Sequence, residues 1–65
     1  MMSVSLQDAL TLKAALQQAR TLPRGYLLRE QLLAELELKQ QLYIDQLVLE
    51  NAPEDDLALI ELRSI

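Results

Sequence analysis

Tyr26 to Glu50, 25 residues, lies within the longest stretch of the chain that has no glycine or proline. Leucine, glutamine, glutamate and lysine fill most of it, and all of these favour helix. At about 1.5 Å per residue the segment predicts a rod roughly 37 Å long. Placed at about 100° per residue, its apolar side chains divide into two groups. Leu32, Leu33, Leu36, Tyr43 and Leu47 form one broad face, while Leu27, Leu38, Leu42 and Leu49 lie roughly opposite. Polar residues separate the groups, with Glu30, Glu37 and Gln41 on one flank and Glu35, Lys39 and Gln46 on the other. A helix that met a single neighbour would need only one apolar stripe. This one has two.

The preceding segment supplies one neighbour. Ser5 and Asp8 have the spacing of a capping box, with Ser5 as N-cap and Asp8 reaching back from the third helical position. Leu6, Ala9, Leu12, Leu16 and Ala19 then recur at steps of three or four, which predicts a helix over 6–20. Ala14 and Ala15 beside this stripe leave room for another helix to approach closely. Thr21-Leu22-Pro23-Arg24-Gly25 carries the turn chemistry that separates the two helices. Two placements suit Pro23: the second position of a type I turn with Gly25 at the fourth, or the first residue of the next helix. In either case the connection is short, and short connections make antiparallel neighbours.

Beyond Glu50, Asn51 suits a C-terminal cap and Pro53 suits the first turn of a further helix. Glu54, Asp55 and Asp56 place negative charge where the dipole of that helix would be stabilised by it. The expectation is a short helix over 54–63 with Leu57, Ile60 and Leu62 facing inward. The last nine residues have weak periodicity, so a strand or an extended tail also fits their composition.

The expected fold class is therefore all-α: an antiparallel helical hairpin with a short C-terminal helix in one domain, 1–65. A chain of 65 residues needs help to be stable. It has no cysteine, which removes disulfides and thiolate metal sites together. Self-association, or binding to a different partner, is the remaining route. The expected dimer is a four-helix bundle whose shared core is Leu32, Leu33, Leu36, Tyr43 and Leu47. Leu27, Leu38, Leu42 and Leu49 would then be covered by a protein partner or by the C-terminal segment. In a competing arrangement that segment folds over the second seam and completes a monomeric three-helix bundle.

Catalysis has little to work with here. There is no histidine to activate Ser3, Ser5, Ser64, Thr11 or Thr21, and Ser5 reads as a cap rather than a nucleophile. Glu35 and Glu37 fall on different helix faces and read as solvated surface. Glu54-Asp55-Asp56 lacks the glycine turn and alternating spacing of a calcium loop. No enzyme, cofactor or metal is expected. No apolar run approaches the roughly 20 residues of a membrane span, and Met1 to Leu12 has neither the basic start nor the apolar block of a secretory signal. The expected location is cytoplasmic.

Charge is unevenly distributed. In residues 1–29, Lys13, Arg20, Arg24 and Arg29 against Asp8 leave +3; in residues 30–65, Lys39 and Arg63 against nine acids leave −7, which together give the net −4. Arg20, Arg24 and Arg29 form a basic tip around the turn, able in principle to contact nucleic-acid phosphate. With no aromatic interleaving and an acidic body behind it, the tip reads better as a solvated turn or as an ion-pair partner for another subunit's acidic half.

The hairpin plan resembles that of plasmid repressor-of-primer proteins, of small co-chaperones of type III secretion needle subunits, and of phycobilisome-degradation proteins. Leu42-Tyr43-Ile44-Asp45-Gln46-Leu47 is similar to a tyrosine-containing stretch in the last of these. A shared plan does not transmit function. The expectation is a non-enzymatic adaptor, inhibitor or chaperone-like regulator acting through its leucine-rich helical surface. The alternatives are a nucleic-acid regulator acting through the basic turn, and a structural subunit of a larger assembly.

Overall fold

The computed structural model describes residues 4–65. Three helices, α1 (Leu6–Arg20), α2 (Arg29–Leu49) and α3 (Leu57–Arg63), make an all-helical fold with no strand among the described residues. The molecule is elongated, 40 × 17 × 15 Å.

α1 begins where the capping box places it. The Asp8 amide donates to Ser5 Oγ at 3.1 Å, and the Ser5 amide donates to Asp8 Oδ2 at 3.0 Å. Two of the amides that a helix start leaves unpaired are thereby satisfied. Ala9, Leu12, Leu16 and Ala19 are buried along one stripe, and Leu6, at its edge, stays exposed.

α2 starts three residues later than the expected 26–50 helix and ends one residue earlier. The cause is a pair of consecutive backbone turns. The Tyr26 amide donates to Pro23 O at 2.9 Å, and the Arg29 amide donates to Tyr26 O at 3.1 Å. Pro23 thus opens a turn over 23–26, which corrects both placements expected for it. Leu28 is the cap residue of α2 and has no side-chain acceptor to offer.

The end of α2 is more firmly defined. Asn51 takes the left-handed conformation, φ 57°. Its amide donates to Val48 O and that of Ala52 donates to Leu47 O, each at 3.0 Å. These are the two bonds of a Schellman motif, and Ala52 adds the accompanying apolar contact by packing on the cluster that contains Leu47.

α3 also begins later than expected, at Leu57 rather than 54. Residues 53–56 form a turn, with the Asp56 amide on Pro53 O at 2.9 Å. Asp56 then caps the helix, its Oδ1 accepting from the amides of Ala58 at 2.8 Å and Leu59 at 3.4 Å. This later start changes which residues face inward. Ala58, Leu59 and Leu62 are buried, whereas Leu57 and Ile60, expected inside, are exposed.

One core joins the three helices: Ala9, Leu12 and Leu16 from α1, Leu47 from α2, and Ala58, Leu59 and Leu62 from α3. Leu33, Leu36, Tyr43 and Ile44 of α2 pack against it while remaining partly exposed. α3 lies chiefly against α1. Lys13 pairs with Glu61 at 2.8 Å, and Gln40 Nε2 donates to Leu62 O at 2.7 Å, so α3 is fastened to both longer helices.

Candidate functional site

The position of α3 decides what remains uncovered. It occupies the inner side of α2, through Gln40 and Leu47, and leaves the opposite side bare. Leu38 is 62 % exposed, Leu42 57 % and Leu49 80 %, and Leu27, in the turn before α2, is 92 % exposed. Leu28 and Val48 extend the apolar surface at either end. These leucines are not scattered singly; Leu38, Leu42 and Leu49 follow one side of a continuous helix.

The residues expected to form a dimer core do not share one environment. Leu47 is 4 % exposed, and Leu33, Leu36 and Tyr43 pack on the chain's own core. Leu32 remains exposed. It lines a groove between α1 and α2 that sequence reasoning did not identify. Ala15, Gln18, Ala19 and Leu22 form one wall of this groove, and Leu32 and Leu36 form the other. It continues past Ala15 and Leu36 toward Asp8, Lys39 and Tyr43, and past Leu22 and Leu32 toward Tyr26 and Leu28. The signal was the small-residue spacing of Ala15 and Ala19, which leaves a helix surface shallow opposite a leucine. Lys39 Nζ lies 5.9 Å from the centroid of the Tyr43 ring, within cation–π range.

The three arginines around the turn do not share one environment. Arg20 and Arg24 are exposed, while Arg29 is half-buried with its Nε shielded from water and without a hydrogen-bond partner. Among the described residues Lys13–Glu61 is the one ion pair, and no group of three or more acidic, histidine or cysteine side chains is gathered as a metal would require. Among those residues, too, no helix is long and apolar enough to cross a membrane.

Comparison of the chain with protein-family models, with curated proteins and with solved structures finds no match to any of them.

Proposed function

We propose that this chain is a non-enzymatic protein-binding module of adaptor, inhibitor or chaperone-like type. In this reading α1 and α2 form an antiparallel hairpin braced by α3, and the outer side of α2 receives a helix of a second polypeptide chain. The groove linings support the hairpin: Gln18, late in α1, and Leu22, just past its end, lie by Leu32, early in α2, while Asp8 and Thr11 lie by Tyr43.

One observation carries the functional reading. The short third helix is spent on α1 and the inner side of α2, and Leu38, Leu42 and Leu49 stay in water. Burying each leucine would stabilise a complex by roughly 1.5–3 kcal/mol before association costs are met. Recognition between a helix and an apolar groove uses anchors at spacings of three, four and seven, and Leu38, Leu42 and Leu49 are four and seven apart. The docking residues are Leu27, Leu38, Leu42 and Leu49.

The test is a Leu42→Asp variant checked for unchanged helicity by circular dichroism. Immobilised beside the parent chain and exposed to extract of the native cells, it should lose the proteins that the parent captures. Undiminished capture would sink the proposal.

A further inference from the structure

The outer seam of α2 has a spacing that is symmetric about its centre. Leu27 and Leu49 each stand eleven residues from Leu38, Gln31 and Asp45 seven, and Ala34 and Leu42 four. All except Leu27, in the turn before the helix, lie on α2 and all are exposed, and from Gln31 to Leu49 the seam is about 27 Å long at 1.5 Å per residue. If two copies of α2 are laid antiparallel with Leu38 opposite Leu38, every seam residue meets another seam residue. Leu49 reaches the turn that carries Leu27 at both ends, Leu42 comes level with Ala34, and the Gln31 amide comes level with the Asp45 carboxylate. A twofold interface requires a patch that is complementary to itself in this way.

Charge favours the same direction. The turn end of the molecule bears Arg20 and Arg24, and the far end bears Glu50, Glu54 and Asp55, all exposed. A parallel pairing would set like charges together at both ends. An antiparallel pairing sets the basic turn of each copy beside the acidic end of the other. On one flank, Glu35 of one copy comes within a turn of Lys39 of the other.

We infer that the outer seam of α2 binds a second copy of this chain, antiparallel, with Leu38 on the twofold axis. The inference rests on the reading of this seam as a docking face and names its occupant. The dimer it describes differs from a bundle joined through Leu32, Leu36 and Leu47, because Leu47 is already consumed within each chain.

Sedimentation and cysteine cross-linking test it together. The parent chain should sediment as a dimer at micromolar concentration. Leu38→Asp, at an exposed site where the fold tolerates charge, should weaken the dimer by about 100-fold, since one substitution strikes both sides of the axis. Arg24→Glu should weaken it several-fold, and added salt should reproduce part of that loss. The chain has no cysteine of its own, so the register can be read directly. With a mild added oxidant Leu38→Cys should cross-link to itself, Leu49→Cys alone should not, and Leu49→Cys mixed with Leu27→Cys should. Self-linkage of Leu49→Cys would overturn the antiparallel register, and a dimer indifferent to Leu38→Asp would overturn the interface. A monomeric parent chain whose partner capture is still abolished by Leu42→Asp would overturn self-association alone and leave the seam a docking face for a different protein. If capture also survives, both readings fail.

Discussion

α1 and α2 are built from much the same residues, yet they are used differently. Within its 15 residues α1 buries Ala9, Leu12, Leu16 and Ala19. α2 is 21 residues long, richer in leucine, and fully buries only Leu47. The cause is angular rather than compositional. Most of the apolar residues of α1 share one stripe, and that stripe is met by α2 on one side and α3 on the other. Those of α2 are divided between opposite sides, so neighbours that cover one side leave the other in water. The number of leucines in a helix therefore says less about its burial than their spread around the axis does.

Substitutions at three positions bear on this contrast. The largest effect is expected at Leu16, which has no exposed surface. Leu16→Ala should cost about 2–5 kcal/mol by lost transfer energy and cavity formation, measured by chemical denaturation. A cost below about 1 kcal/mol would mean that the α1 stripe is not the core. The next tests the turn that returns α3 to α1. Asn51→Val forces a β-branched residue into the left-handed region and should cost about 1–2 kcal/mol, whereas Asn51→Gly should be nearly neutral. Equal costs for the two would show that the φ of this residue is not what directs the chain. The smallest effect is expected on the outer seam: Leu49→Ala, measured on dilute monomer, should change stability by no more than about 0.5 kcal/mol. If that change grows with protein concentration, the seam is occupied by association. A cost in dilute solution as large as that of Leu16→Ala would erase the contrast between the helices.

The sequence made some of these features readable because side chains determine them. Ser5 and Asp8 announce the start of α1, the three-and-four spacing announces its buried stripe, and Asn51 announces the end of α2. The later start of α2 was hidden, because backbone bonds to Pro23 O and Tyr26 O create it and no side-chain pattern records such bonds; that of α3 had a signal in its cap, Asp56, masked by the adjoining acids Glu54 and Asp55. From that local miss came a larger one, since moving the start of α3 exchanged Leu57 and Ile60 for Ala58 and Leu59 in the core. The two faces of α2 were legible in outline. Which of them α3 would cover was not, because that depends on how the Asn51 turn directs a seven-residue helix in space.

The two ends of α2 are secured unequally. Its last turn is tied by the bonds from Asn51 and Ala52 and buttressed by α3, whereas its first turn follows Leu28, which has no side-chain oxygen to cap it. Unravelling of this helix is therefore expected to start beside Arg29 and travel inward, halting near Gln40, where the bond to Leu62 O ties it to α3. Proteases should find the segment around Arg24–Arg29 well before they reach the remainder of the rod.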